Sequence, residues 1–263
     1  MRENTALTTW REGGQTIGVW LSMANTYSAE MLANMGFDWV CVDLQHGLID
    51  YQDLTAMLPA ISTSNATPIV RVPWNEPYEI MKVLDVGAYG VIVPLVNNRR
   101  EAEQAVAACR YPPDGNRSFG PIRAALYAGR GYAAEANEQT ACIAMIETEE
   151  ALENLDAIVS TPGLDGVYIG PSDLALAIGL PPQGDTTDEK HAATVRRIAD
   201  ACKTHDTAIG IHTSSLQFAQ RYLEWGFNFV TLGSDAGFMG RAAAQDLAAA
   251  RGTQQQEREK TGY

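Results

Sequence analysis

Two carboxylates stand where apolar, β-rich runs give way to polar turns. Glu147 follows Ala141-Cys142-Ile143-Ala144-Met145-Ile146, and Asp173 follows Gly166-Val167-Tyr168-Ile169-Gly170-Pro171-Ser172. In a barrel of alternating strands and helices, both acids would point into one mouth. Two hard oxygen donors there suit a divalent cation such as Mg²⁺ or Mn²⁺. Acids at strand ends also serve as helix N-caps, and Asp173 before Leu174-Ala175 is open to that reading. With only two protein carboxylates, water and substrate would fill the remaining positions, as is usual for a catalytic Mg²⁺ or Mn²⁺. Gly170 and Ser172 add backbone N–H groups at a helix start, suited to a substrate carboxylate, whereas Pro171 has none.

A histidine and an arginine stand at comparable places. His46 lies in Asp43-Leu44-Gln45-His46-Gly47, at the rim where barrel enzymes keep their catalytic groups. An imidazole with an ordinary pKa of about 6.5 exchanges protons at neutral pH. A lone histidine also fits a structural role, but His46 has company. Arg71 is embedded in Ile69-Val70-Arg71-Val72-Pro73, where a charge is costly unless it meets an anion. Its fork matches a carboxylate or an enolate oxygen, or it bridges buried acids. Asp85 closes Met81-Lys82-Val83-Leu84-Asp85 and, taken alone, reads as a solvated helix residue. His212 ends an apolar run and has no assigned role, while His191 and His205 read as surface residues of a helix. Lysine is scarce: Lys82, Lys190 and Lys203 fall on helical stretches and Lys260 in the tail. A Schiff-base aldolase needs a lysine in the mouth. No lysine here ends an expected strand, so carbanion stabilisation would come from elsewhere, and the acid pair with Arg71 offers that alternative.

The chain that positions these groups has 263 residues, 46% hydrophobic and 19% charged, which is ample for a sizeable core. Its formal charge of −13 makes nucleic acid an unsuitable partner, since phosphate binding needs a basic surface. A small anionic substrate is compatible, because local cations override the global field. No apolar run approaches the roughly 20 residues that span a bilayer, and the start Met1-Arg2-Glu3-Asn4-Thr5 has no signal-peptide core. Cys41, Cys109, Cys142 and Cys202 form no Cys-x-x-Cys pair. The expected setting is cytoplasmic and reducing, with no membrane partner.

Eight short apolar runs alternate with helical patterns. The expected strands are Ile17–Leu21, Trp39–Leu44, Pro68–Val72, Gly90–Pro94, Cys142–Ile146, Gly166–Ile169, Ala208–His212 and Phe229–Leu232. Between them lie helical stretches such as Tyr51–Ile61, Pro77–Val86, Glu101–Arg110, Glu149–Val159, Lys190–His205 and Ser215–Trp225. Gly36, Gly87 and Gly226 recur at helix ends, where glycine enters the left-handed region cheaply. Eight such units in about 250 residues is the arithmetic of a (β/α)₈ barrel. A doubly wound sheet would favour a glycine-rich loop after the first strand, and Leu21-Ser22-Met23-Ala24-Asn25 is not one. The expectation is one barrel domain over 1–263, a long irregular segment at Tyr111–Asn137 and a polar tail over Thr253–Tyr263. An apolar last helix, Phe238–Ala250, hints at burial against a partner.

Several stretches together resemble the HpcH/HpaI-type metal-dependent aldolases. They are Phe37-Asp38-Trp39 to His46, Val70-Arg71-Val72-Pro73-Trp74-Asn75, Leu84-Asp85-Val86-Gly87 and Val93-Pro94-Leu95-Val96. Arg110-Tyr111-Pro112-Pro113-Asp114-Gly115, Ile146-Glu147-Thr148 and Asp165 to Asp173 continue the likeness, which runs from about Gly18 to Ala250. The resemblance implies a (β/α)₈ barrel, commonly a homohexamer with the last helix exchanged between neighbours. It implies reversible cleavage of 4-hydroxy-2-oxoacids to pyruvate and an aldehyde through a metal-stabilised pyruvate enolate, with Mg²⁺, Mn²⁺, Co²⁺ or Zn²⁺ as the ion.

Carried over by motif, His46 is the base, Asp85 raises its basicity and Arg71 stabilises the enolate. Glu147 and Asp173 hold the metal, and Gly170, Pro171, Ser172, Asp173 and Arg71 bind substrate. Asp43, Gln45, Met145, His212 and Arg123 complete the candidate set; Arg117 and Arg123 could meet an acidic aldehyde tail, with Ser118–Tyr127 and a neighbouring subunit shaping that pocket. Gln45 replaces a common Glu and Met145 a common substrate-binding Gln, which bears on the substrate more than on the reaction type. The alternatives are a citrate-lyase-β-like CoA-ester lyase, a 2-oxoacid decarboxylase and a non-catalytic 2-oxoacid-binding protein. The first needs a basic groove for CoA phosphates that this acidic chain does not offer.

Overall fold

The computed structural model describes residues 1–251, so the expected tail lies outside the described residues. The strands are β1 (Thr16–Leu21), β2 (Trp39–Asp43), β3 (Thr67–Arg71), β4 (Gly90–Val93), β5 (Ala141–Ile146), β6 (Gly166–Ile169), β7 (Ala208–Ile211) and β8 (Phe229–Ser234). All pair in parallel in chain order, and β8 closes on β1. The (β/α)₈ barrel expected from the sequence is present, with strand ends within one or two residues of expectation.

The helices α1 (Thr5–Arg11), α2 (Thr26–Ala33), α3 (Tyr51–Ile61), α4 (Pro77–Asp85) and α5 (Arg99–Cys109) accompany the first half. Then come α6 (Ile122–Ala128), α7 (Tyr132–Gln139), α8 (Glu149–Glu153), α9 (Leu155–Val159) and α10 (Pro171–Ala177). The last are α11 (Glu189–Thr204), α12 (Leu216–Glu224) and α13 (Asp235–Ala250). Short polar side chains set several starts: Asp50 forms a capping box with Asp53, and Asn98, Thr148 and Ser215 accept from N–H groups of the first turn. Gly36, Gly87 and Gly226 have φ of 95°, 108° and 88°, the left-handed joints expected from the sequence.

Strand pleating splits the core in two. Val40, Val42, Val70, Val91 and Ile146 face the helices, while alternate residues fill the barrel. That interior is aromatic: Trp20 and Phe229 both stack on Tyr168, and Trp39 meets both Tyr168 and Phe229 edge-on. Glycine makes room for these rings. A Cβ on Gly18 would overlap the Trp39 ring, and one on Gly210 would overlap Phe229. Helix α1, which the sequence reading missed, closes the foot of the barrel with Trp10 stacked on Phe229 at 4.2 Å.

Three expectations need correction. Residues 111–137 are irregular only as far as Pro121: α6 and most of α7 occupy the rest, and Tyr111, Ala124, Ala128 and Tyr132 form their own small core. The stretch Glu149–Val159 is two short helices, α8 and α9, meeting at Asn154. His191 is not a surface residue. It is fully buried, with Nε2 3.1 Å from the Pro171 carbonyl.

Candidate active site

The mouth is built from residues whose inward direction the pleat dictates. Asp43 and Arg71 close β2 and β3 and are register partners. Arg71 donates through Nε to Asp43 Oδ1 at 2.8 Å and through Nη2 to Oδ2 at 2.6 Å. Burial pushes the Asp43 carboxyl up, but hydrogen bonds and charge from Arg71 outweigh it and hold the group below its ordinary range. For Arg71, burial works against the charge and Asp43 more than restores it. The Trp20 ring carries the guanidinium at 5.0 Å. Asp43 Oδ1 also accepts from the backbone N–H groups of Gln45 at 3.0 Å and His46 at 3.3 Å. This turn is tight enough that a Cβ on Gly47 would overlap the Asp43 carbonyl oxygen.

Glu147 follows β5 and is 3% exposed. Its Oε1 accepts from the Leu95 N–H at 2.9 Å. Leu95 has φ of 54°, a left-handed conformation that costs a leucine of order 1–3 kcal/mol and is typical of functional sites. Burial pushes the Glu147 carboxyl up to about 7; the Leu95 hydrogen bond opposes this, the Asp173 charge adds to it and Arg71 opposes it. A Cβ on Gly170 would overlap Glu147 Oε2, so a side chain there would displace the end of the carboxylate. Asp173 is exposed and sits in the first turn of α10, whose N-cap is Gly170 without a side-chain cap. Capping therefore does not occupy Asp173.

These two residues fit a divalent cation. A buried carboxylate that resists ionisation, with a second acid raising its proton affinity further, is a pair short of positive charge. Among the described residues no group of three or more His, Cys, Asp and Glu side chains could hold a metal. The pair matches an ion that takes its remaining ligands from water and substrate.

The other candidates divide. The His46 side chain is exposed, with no hydrogen bond among the described residues. Asp85 closes α4 at the end remote from the mouth and accepts from Arg117 Nη2 at 2.7 Å. Burial raises its carboxyl, and Arg117 opposes the rise. One chain therefore does not bring His46 and Asp85 together.

Arg123 donates to the Val86 carbonyl and to Ser62 Oγ, each at 2.7 Å, at the C-terminal ends of α4 and α3. It lies at the foot, as does the Ser118–Tyr127 segment that joins α5 to β5. Met145 is 1% exposed and packs inside the barrel. Gln45 has a buried Oε1 without a hydrogen-bond partner among the described residues. His212 faces inward beyond β7, edge-on to Trp20 at 5.0 Å, with Nδ1 3.3 Å from Tyr168 Oη. Burial and then Arg71 push its pKa down to about 4, against Asp43 and Asp185. Sequence reasoning missed Trp20 and Leu95. Inward parity from Gly18 could have found Trp20; no local signal announces Leu95.

Comparisons with known proteins give the family. Residues 16–242 match the HpcH/HpaI aldolase/citrate lyase family. A hydroxypyruvate/pyruvate aldolase of Rhizorhabdus wittichii is 43% identical over 248 residues, 94% of this chain and 99% of that protein. A 5-keto-4-deoxy-D-glucarate aldolase of Escherichia coli is 39% identical over 234 residues, 88% of this chain and 90% of that protein. A crystal structure of a family member from Burkholderia cenocepacia superposes with a TM-score of 0.88 at 33% identity, covering 94% of this chain and 99% of that one. The chain belongs to the HpcH/HpaI aldolase/citrate lyase family and is a carbon–carbon lyase of the aldolase class.

Proposed function

We propose that this aldolase is metal-dependent and reversibly cleaves 4-hydroxy-2-oxoacids to pyruvate and an aldehyde. The observation that carries the reading is the Glu147–Asp173 pair facing an arginine already fixed by Asp43. Glu147 and Asp173 hold a divalent ion, with Mg²⁺ or Mn²⁺ preferred over Co²⁺ or Zn²⁺. When bound, the ion supplies Lewis-acid stabilisation of negative charge developing on the 2-oxo oxygen.

The chain's own groups do the rest. N–H groups of Gly170 and Ser172, flanking Pro171, orient the substrate carboxylate at the start of α10. Arg71 directs Nη1 at the 2-oxo oxygen, because Nε and Nη2 are committed to Asp43. His46 takes the proton from the C4 hydroxyl on cleavage and returns it on addition.

Asp85 raises the basicity of His46 only from a second copy, given its place at the end of α4. A homo-oligomer, a hexamer by family resemblance, supplies that copy. Exposed Met239 and Leu247 on α13, and Phe119, Ile122 and Leu126 at the foot, offer apolar contact surface for it. Among the described residues no helix is long and apolar enough to cross a membrane, and the four cysteines are free and buried. Both support a cytoplasmic setting.

The test is a screen of aldehydes with pyruvate under several cations. Adduct formation abolished by EDTA and restored by Mn²⁺, with no borohydride-trapped imine, is the expected result; turnover that survives full demetallation contradicts it.

A further inference from the structure

His212 lies in the mouth and has no part in the reaction described above. Its position follows from the strand: Ala208 and Gly210 point into the barrel, and His212, two residues on, continues that face. Its ring meets Trp20 edge-on, and Trp20 also carries Arg71, so one indole spaces the imidazole from the guanidinium.

The protonation of that ring follows from its neighbours. Tyr168 Oη is buried between two partners, His212 Nδ1 and Thr231 Oγ1. Thr231 Oγ1 has no other hydrogen-bond partner among the described residues. If Nδ1 carried the proton and donated to Tyr168, one of the two buried hydroxyls would have no acceptor. A relay from Thr231 to Tyr168 to His212 Nδ1 leaves neither hydroxyl unsatisfied. The tautomer assigned from this network carries its proton on Nε2. That nitrogen makes no hydrogen bond among the described residues and is not sealed from solvent. The imidazole is also uncharged at neutral pH, since its pKa is near 4. The mouth thus holds a fixed, neutral N–H donor set apart from the Arg71–Asp43 pair.

We propose that His212 is a specificity-determining residue whose Nε2–H donates to a substrate hydroxyl on the carbon beside a carbonyl. Such a hydroxyl comes with a 3-hydroxy-2-oxoacid donor or with a 2-hydroxyaldehyde acceptor. A neutral donor suits a neutral hydroxyl, whereas a second cation would compete with Arg71 for the oxoacid charge. The inference rests on the aldolase reading and narrows its substrate class.

The test compares kcat/KM for wild type, His212→Phe and His212→Gln in two arms. One arm pairs pyruvate against hydroxypyruvate with a fixed aldehyde. The other pairs propionaldehyde against glycolaldehyde with pyruvate. In one arm the preference for the hydroxylated substrate should fall about tenfold in His212→Phe, the worth of one hydrogen bond, and recover in His212→Gln. The arm that responds identifies which substrate brings the hydroxyl. A fall shared equally by hydroxylated and plain substrates, or unchanged ratios in both arms, overturns the proposal while leaving the aldolase intact. Absence of aldol turnover by the wild type with every pair overturns both.

Discussion

Arg71 and Asp43 face each other across β2 and β3 and share two hydrogen bonds, Nε to Oδ1 at 2.8 Å and Nη2 to Oδ2 at 2.6 Å. The arginine is thereby a rigid fixture of the mouth, with Nη1 left without a hydrogen-bond partner among the described residues. An ammonium cannot reproduce a planar fork. Arg71→Lys keeps the charge and loses the geometry. Turnover should fall by about 10²–10³-fold, in the range for removal of a preorganised oxyanion donor, while the circular dichroism spectrum is retained. Near-normal kcat in that variant would remove Arg71 from the chemistry.

Glu147 gives the site a pH dependence with a definite sign. Its carboxyl holds a proton up to about 7, against an ordinary value of 4.5. Between those values the folded chain binds more protons than the unfolded one. The stability tied to this group is fully present below 4.5 and is lost as pH rises through about 7. A cation binds only the carboxylate and so competes with that proton. Mn²⁺ affinity, measured by titration calorimetry, should drop toward tenfold per unit as pH falls below about 7 and level off above it. A profile that stays flat between about pH 5.5 and about pH 8 would count against Glu147 as a ligand.

The sharpest steric test is Gly170→Ala. Its Cβ would overlap Glu147 Oε2 and press on Met145 Cε. The carboxylate must then turn away from Asp173 or β6 must shift. We expect Mn²⁺ binding to weaken by about tenfold or more, since ligand placement decides affinity. Thermal denaturation, run alongside, separates this from unfolding. Unchanged Mn²⁺ affinity in a folded variant would show that Gly170 does not hold the site open.

Which parts of this arrangement could be read beforehand follows from the range of each signal. Strands buried on both faces leave continuous apolar runs, and glycine joints recur where helices end, so all eight strands were legible. Glu147 and Asp173 announced themselves as acids at the ends of such runs. The Asp43–Arg71 fork did not, because it depends on the register of strands 28 residues apart. His191 was misread because its polarity points outward, while its Nε2 is satisfied inside by the Pro171 carbonyl. Helices α6 and α7 were hidden by the polar, proline-rich stretch that opens their segment; their core is small and aromatic rather than periodic. Asp85 carried its role only through resemblance, and the fold of one chain puts Arg117 beside it instead of His46.

The central claim is that Glu147 and Asp173 bind a cation that stabilises negative charge on the oxoacid. The most direct measurement is proton–deuterium exchange at the pyruvate methyl group, followed by NMR without any aldehyde. The account predicts exchange that stops with EDTA, returns with Mn²⁺ and falls by orders of magnitude in Glu147→Gln. Exchange that continues undiminished after complete demetallation would contradict it.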